Sequence, residues 1–137
     1  MYSDRFFKEN DAMKEFMNLC IQEYSMIPKL SSVGYKKILK LSGGGVSIGL
    51  SISNNPICIE IVFIEVNNVL IDDYENVLQY YNIIELLIKK LIECANMYNV
   101  VIGAWIEDID ECIYSKLGFK TIEKSSKIWV EYSQLLN

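Results

Sequence analysis

The stretch Ile113-Tyr114-Ser115-Lys116-Leu117-Gly118-Phe119 decides the fold that we assign to this chain. It follows an apolar run at 100–106 and precedes two short segments, 119–123 and 127–132, in which β-forming side chains recur. Glycine adopts the left-handed backbone conformation at low cost, so the glycine of this stretch is suited to end a helix. The sequence therefore predicts a strand at 100–106, a short helix at 108–117 and a final hairpin of two strands.

Two longer segments have the apolar spacing of amphipathic helices. Residues 11–24 and 73–98 both repeat apolar side chains every three to four positions, so we predict a helix over each. Asp72, followed by Glu75 three residues later, resembles a capping pair for the second helix. A later start of this helix, near Asn82, would instead leave these acidic residues in a loop.

Between the two helices the pattern changes to that of β-strands. We interpret 25–34 as a loop and 35–41 as a strand. Residues 46–53 alternate apolar and small polar side chains, which indicates a strand with one buried face. Ile57–Val66 is almost entirely apolar, which is typical of a central strand covered on both faces, and the strand at 100–106 should run parallel within the same sheet. The glycine run at 42–45 is interpreted as a flexible hairpin turn rather than a phosphate loop, because it lacks the lysine of such a loop and precedes a strand.

The composition fits one compact domain that spans residues 1–137. Of the 137 residues, 51% are hydrophobic and 23% are charged, which is ordinary for a globular protein that buries a core. The net charge of −5 argues against nucleic acid as a partner, and we interpret Lys36, Lys37 and Lys40 as the solvated side of an edge strand. The polar start and the absence of a long apolar run predict a cytoplasmic protein with no membrane partner.

Missing residue types exclude several kinds of chemistry. The chain has no histidine, which removes Ser-His-Asp and Cys-His nucleophilic machinery and histidine-based acid–base catalysis. Its four cysteines are far apart in sequence and lie in apolar patterns, where cysteine usually acts as a small hydrophobe. We therefore expect no metal site. Trp105 and Trp129 fit either a core or an exposed contact surface.

The element order and the Tyr-x-Lys-Leu-Gly-Phe run of residues 114–119 resemble the GNAT family of acyl-CoA-dependent N-acetyltransferases. The resemblance extends from the first helix to the end of the chain, and only residues 1–7 are left for the family's opening strand. It implies an α/β fold, with a mixed central sheet flanked by helices in a single domain. It also implies that Tyr114 occupies the position of the acid that reprotonates the coenzyme A thiolate.

The pyrophosphate loop of that family is missing. A glycine-rich loop and the following helix N-terminus normally hold the pyrophosphate through backbone N–H groups, yet residues 67–81 contain no glycine. Acidic side chains near the start of the second helix would satisfy these amides and repel the anion. We therefore expect no cofactor. If coenzyme A does bind, its contacts would come from four polar side chains of this region, Asn67, Asn68, Tyr80 and Tyr81.

The candidate catalytic residues each have a structural alternative. Tyr114 is either the acid or a tyrosine packed beneath the sheet. Glu60 and Glu65 lie on a strand that often carries the general base in this family, and Glu65 is the better candidate because it is nearer the strand end. Both glutamates could equally be paired or face solvent.

Two functions from different classes follow. The first is a GNAT-like domain that has lost its acetyl-CoA site and acts as a protein-binding, regulatory or inhibitory module, on a partner protein or on another copy of itself. The second is an acetyl-CoA-dependent N-acetyltransferase with an atypical cofactor loop, in which Tyr114 is the acid, Glu65 or a water that it holds is the base, and an amine is the acceptor.

Overall fold

A computed structural model describes residues 4–34, 36–54, 57–66 and 74–134 of the chain. These residues form three α-helices and seven β-strands. In chain order the elements are α1 (Asp4–Tyr24), β1 (Ile27–Val33), β2 (Lys36–Gly43), β3 (Val46–Asn54), β4 (Ile57–Val66), α2 (Tyr74–Tyr98), β5 (Ile102–Ile106), α3 (Glu111–Lys116), β6 (Lys120–Lys124) and β7 (Ile128–Tyr132). A single 3₁₀ turn, Asp108–Asp110, precedes α3.

The strands form one mixed sheet in the order β1-β2-β3-β4-β5-β7-β6. The four strands from β1 to β4 are antiparallel neighbours, and so are β5, β7 and β6. Within the described residues only β4 and β5 pair in parallel, as predicted, and α2 connects them. The fold is thus α/β in a single domain, with one parallel pair in the middle of an otherwise antiparallel sheet.

All three helices contribute side chains to one buried apolar cluster on one face of the sheet, which we call the helix face. The helices α1 and α2 pack on each other and supply Phe16 and Leu91, while α3 supplies Tyr114. Alternate strand positions, such as Leu50 on β3 and Ile61 on β4, complete the cluster. Because successive strand residues point to opposite faces, the remaining positions form a second face of the sheet.

A β-bulge in β4 changes which of its side chains share a face. Leu50 pairs with Ile61 and its neighbour Gly49 pairs with Phe63, so Val62 is the extra residue on β4. Glu60 and Glu65 are five positions apart and would face opposite sides of a regular strand. The bulge instead places both of them on the second face, opposite Ser51 and Ser47.

The structure corrects the interpretation of residues 25–34 as a loop, since they contain strand β1. This strand pairs with β2 along its whole length, from Ile27↔Ser42 to Val33↔Lys36. It lies at the edge of the sheet and its described side chains are exposed, so no buried face left a hydrophobic pattern in the sequence. Residues 4–7, part of the stretch left for the family's opening strand, belong to helix α1, which begins at Asp4 and extends the predicted helix backwards.

A second correction concerns the alternation in β3. Its small polar residues were expected to face solvent, yet Ser47 and Ser51 are 1% and 2% exposed. They lie on the second face, and the hydroxyl of Ser47 is hydrogen-bonded to that of Ser42. Phe63 packs directly over Gly49, the residue midway between the two serines. Strand β3 is therefore buried on both faces at its centre.

The other elements agree with the sequence predictions to within a few residues at their ends. Strand β4 has the predicted limits, and α2 begins at Tyr74, one residue after the predicted start, which excludes a start near Asn82. The predicted strand at 35–41 is β2, whose neighbour Tyr35 lies outside the described residues. Asp72 is also outside them, so the capping pair stays a prediction.

Candidate functional site

The two strands of the parallel pair, β4 and β5, separate part-way along their length. Strands β4 and β5 are paired only from Ile59↔Ile102 to Ile61↔Ala104, although β4 continues to Val66 and β5 to Ile106. The bulge of β4 falls where this pairing stops. Crevices beyond the carboxyl ends of parallel strands are the usual ligand sites of open α/β sheets, so this divergence is the candidate site of the fold.

A cleft of about 160 Å³ fills the space between the diverging strands. It is closed by side chains from β4, β5, α2 and the segment that leads into α3. Apart from Asp110 and Tyr114, the side chains that line it are apolar: Ile61, Val62, Phe63, Ile64, Ile84, Trp105, Ile106 and Ile113. The cleft is therefore small and mostly hydrophobic.

Tyr114 lies in this cleft and is only 8% exposed. Its ring meets the ring of Phe119 edge to face, with centroids 5.1 Å apart. Burial, and to a smaller extent the nearby carboxylate of Asp110, raise the pKa of the Tyr114 phenol to about 12. The phenol is therefore protonated at neutral pH, and the side chain lies in the core rather than in solvent.

The end of α3 explains how the sequence positions Tyr114. The N–H of Phe119 donates to the carbonyl of Tyr114 at 3.0 Å, and the N–H of Gly118 donates to the carbonyl of Ser115, also at 3.0 Å. This bond pair is the Schellman motif, and Gly118 adopts the positive φ of 100° that the motif needs. The motif folds Phe119 back against Tyr114, so the predicted role of the glycine as a helix stop is confirmed.

Glu65, the candidate base, lies on the second face of the sheet. It is exposed, pairs across strands with Ser47 and is not among the residues that line the cleft. Tyr114 belongs to the apolar cluster of the helix face. The structure therefore does not bring the two candidate catalytic residues together.

The candidate cofactor contacts fall where the structure gives little detail. Asn67 and Asn68 lie outside the described residues. Tyr80 and Tyr81 lie in the first half of α2, and only their backbone is described.

A wider depression lies on the second face, next to the cleft. It has a volume of about 450 Å³ and is lined by Glu60, Val62, Trp105 and the turn residues Ser125, Ser126 and Lys127. Val62 and Trp105 also line the cleft, so the two spaces adjoin through the gap between β4 and β5. The turn between β6 and β7 gave no sequence signal for such a role.

The two tryptophans have different environments, which the sequence left open. Trp105 is 46% exposed at the depression, whereas Trp129 is 4% exposed, and their ring centroids are 5.1 Å apart. The indole N–H of Trp129 donates to a carboxylate oxygen of Glu131. Trp129 is thus a core residue of the second face, and Trp105 is part of its surface.

Glu60 is the most buried carboxylate of the described residues, at 6% exposure. Its Oε1 accepts a hydrogen bond from the Lys36 ammonium at 3.0 Å, and the side chain of Lys36 is 42% exposed. Of the two roles considered for Glu60, this ion pair favours the structural one.

Three of the four cysteines have the buried environment expected of small hydrophobes, and the expectation is wrong for Cys112. Cys20, Cys58 and Cys94 are buried and Cys112 is exposed, and none of them forms a disulfide. Burial raises the pKa of the Cys20 thiol to about 12 and that of Cys94 to about 11. No group of three or more metal-ligating side chains occurs among the described residues, and none of the helices described there is long and apolar enough to cross a membrane.

Comparison with known proteins adds no identification. No protein-family model matches the chain, and no curated protein sequence matches it either.

Proposed function

We propose that this chain is a diverged GNAT-like domain that binds a protein partner and no longer binds acetyl-CoA. The resemblance at residues 114–119 led to this family, and the single parallel pair beside Tyr114 supports it. The crevice beyond the ends of parallel strands is the usual ligand site of an open α/β sheet, so a cofactor would lie in the gap between β4 and β5. The volume and the lining of that gap are therefore the observations most relevant to function.

The size of the cleft carries the proposal. Sites for small molecules and cofactors commonly measure ~300–1,000 Å³, and the cleft has about 160 Å³. Its walls are mostly apolar and include Ile61 and Ile106 of the buried cluster, and the ring of Tyr114 is packed against Phe119. These contacts support a cleft that the protein's own side chains have narrowed.

The placement of the acid–base candidates supports the same conclusion. An acetyltransferase needs a base at the acceptor amine and an acid at the thiolate, both close to one reacting carbonyl. Here Tyr114 is in the cleft and Glu65 is exposed on the second face. Glu60 lines the adjoining depression, but its carboxylate is engaged by Lys36.

A binding role agrees with the exposed surface of the described residues. Large apolar side chains are exposed on the edge strands, including Ile27 and Leu30 on β1 and Ile122 on β6. Exposed strand edges offer unpaired backbone groups to another chain. A regulatory or inhibitory module would act through such surfaces without any catalytic group.

One observation favours the alternative, an acetyl-CoA-dependent N-acetyltransferase. The cleft and the depression adjoin through Val62 and Trp105, so a thioester in the cleft and an amine in the depression would meet between the strands. The amine nitrogen would attack the thioester carbonyl and lose a proton to a base. The C–S bond would then break, and the Tyr114 phenol would give its proton to the departing thiolate.

An acetyl-transfer assay tests the proposal against this alternative. The protein is incubated with acetyl-CoA and a mixture of polyamines and lysine peptides, and acetylated products are measured by mass spectrometry. We expect no transfer above the rate without protein. Transfer that the substitution Tyr114→Phe abolishes while the protein stays folded would overturn the proposal and establish the alternative.

A further inference from the structure

The hairpin of β1 and β2 forms one edge of the sheet and has the most exposed apolar side chains of the described chain. Ile27 is 71% exposed and Leu30 is 80% exposed. Among the residues that the structure describes, strand β1 pairs with β2 alone, so its other side is a free edge. A free edge of this kind can accept a further strand through main-chain hydrogen bonds.

Pro28 shows which backbone groups of β1 point to the free edge. Proline has no N–H, so in a paired strand its nitrogen is placed on the side away from the partner. In an antiparallel pair this side alternates from residue to residue. Leu30 and Ser32, two and four positions later, therefore direct their N–H and C=O groups outward, whereas Pro28 offers only its carbonyl.

Lysines are concentrated on this hairpin, and of these Lys36 has a described acidic partner, Glu60. Residues 24–59 contain four lysines and no aspartate or glutamate, in a chain whose net charge is −5. Lys29 and Lys40 are directly opposite each other on β1 and β2. Two charges of the same sign in this position repel and destabilise a sheet. No carboxylate whose side chain the structure describes lies within ion-pair distance of either, and Glu60 is engaged by Lys36.

Leu30 and the two opposed lysines lie on opposite faces of the hairpin. Leu30 pairs with Leu39, which belongs to the apolar cluster of the helix face. Lys29 and Lys40 are adjacent to this pair in sequence and so point to the second face. A strand added along β1 would therefore meet Leu30 on one face and, on the other, Lys29 and Ile27, with Lys40 on the next strand.

We propose that the free edge of β1 binds an extended acidic segment of a partner protein as an additional strand. The segment would alternate acidic side chains above Lys29 and Lys40 with apolar side chains beside Leu30, and its backbone would bond to Leu30 and Ser32. This inference rests on the proposed protein-binding function, for which it names the surface and the chemistry of the partner.

Two other occupants fit the edge less well. A second copy pairing through its own β1 would bring two more uncompensated lysines onto the same face, and both strands would lack the N–H of Pro28. Nucleic acid would use the lysines but not the outward backbone groups or Leu30, and the net charge of −5 opposes it.

Titration with two matched synthetic peptides tests the proposal. One short peptide alternates glutamate with valine, and the other replaces every glutamate by glutamine. Binding to the full chain is followed by fluorescence anisotropy, and the site is mapped from amide shifts in NMR spectra. We expect the glutamate peptide to bind at least about tenfold more tightly, to weaken as salt is raised, and to shift the amides of Leu30 and Ser32.

Three variants locate the contact. Lys29→Gln combined with Lys40→Gln should remove the preference for the glutamate peptide. Leu30→Pro removes one outward N–H while leaving the bonds to β2 in place, so it should weaken both peptides. Lys120→Gln combined with Lys127→Gln, at the opposite end of the sheet, removes the same charge and should leave binding unchanged.

Several results would overturn the inference. Equal binding of both peptides, no saturation up to about 1 mM, or equal effects of the two lysine pairs would each exclude it. So would dimerisation through β1 in sedimentation experiments, or preferential binding of DNA oligonucleotides at this hairpin. None of these results depends on acetyl transfer, so they are distinct from failure of the proposed function.

Discussion

The ring of Phe119 packs edge to face on the ring of Tyr114, with centroids 5.1 Å apart, because the Schellman motif at the end of α3 turns the chain back on itself. Phe119 in turn contacts the ring of Tyr132 on β7, at a centroid distance of 5.7 Å. Tyr114 is thus one member of an aromatic group that fixes α3 to the sheet. Its ring has a structural role whether or not its hydroxyl has a chemical one.

The first prediction concerns the hydroxyl of Tyr114. No hydrogen-bond partner for it is found among the described residues, and it is not one of the fully buried polar atoms, so Tyr114→Phe removes a polar atom that water can still reach. We expect the free energy of unfolding at neutral pH to change by less than about 0.5 kcal/mol, measured by urea denaturation. As a control, Phe119→Ala should cost about 3 kcal/mol because it removes the ring beneath Tyr114. A large loss in Tyr114→Phe would indicate that the hydroxyl has a partner.

The second prediction is the pH dependence of stability. The pKa of Tyr114 is about 12 in the folded protein, against about 10 for an unfolded tyrosine. The unfolded chain therefore loses this proton first, so stability falls as the pH rises from about 10 to about 12. The raised pKa values of Cys20 and Cys94 act in the same direction from about pH 9. Tyr114→Phe should lose less stability between pH 10 and 11, by denaturation at each pH, and an identical slope in both proteins would contradict this account.

The third prediction concerns the close approach of Trp129 to β5. A Cβ on Gly103 would overlap the indole ring of Trp129, so Gly103→Ala should displace the ring and destabilise the protein by about 1–3 kcal/mol. In a Trp105→Phe background the fluorescence of Trp129 alone reports the displacement. An unshifted emission maximum and an unchanged Tm would mean that Gly103 has more room than the structure gives it.

The fourth prediction concerns the ion pair of Glu60. Lys36→Met leaves the Glu60 side chain, which is 8% exposed, without its cation. We expect the free energy of unfolding to fall by about 1–3 kcal/mol, and the loss is no larger because Lys36 itself is partly in solvent. Lys37→Met, at the exposed neighbouring position, is the matched control and should change stability by less than about 0.5 kcal/mol. Combining Lys36→Met with Glu60→Gln should recover part of the loss. Equal effects of the two lysine variants would show that the pair contributes nothing.

The long periodic segments of this chain could be predicted from sequence because each buries a continuous stripe or face. Helix α2 and strand β4 are examples, with limits within one residue of those predicted. Strand β1 was missed for the opposite reason: it is an edge strand with a proline and exposed side chains, so burial imposes no pattern on it.

The candidate site was only partly accessible to sequence reasoning. Tyr114 could be singled out because its neighbours have a local signature, including a glycine that the helix end requires. That Glu60 and Glu65 lie on the same face could not be predicted, because one bulged residue, Val62, changes the face on which Glu65 lies. The cleft itself depends on where the pairing of β4 and β5 stops, and cross-strand register leaves no mark in the sequence of either strand.

The central claim is that the gap between β4 and β5 does not accept acetyl-CoA, and calorimetric titration of the full chain with acetyl-CoA tests it most directly. Tyr114→Phe is titrated in parallel, and thermal denaturation with and without the ligand provides a second readout. We predict no heat beyond dilution and no shift in Tm for either protein. Saturable one-to-one binding in the micromolar range, accompanied by a rise in Tm, would contradict the claim and show that the cleft opens to a cofactor.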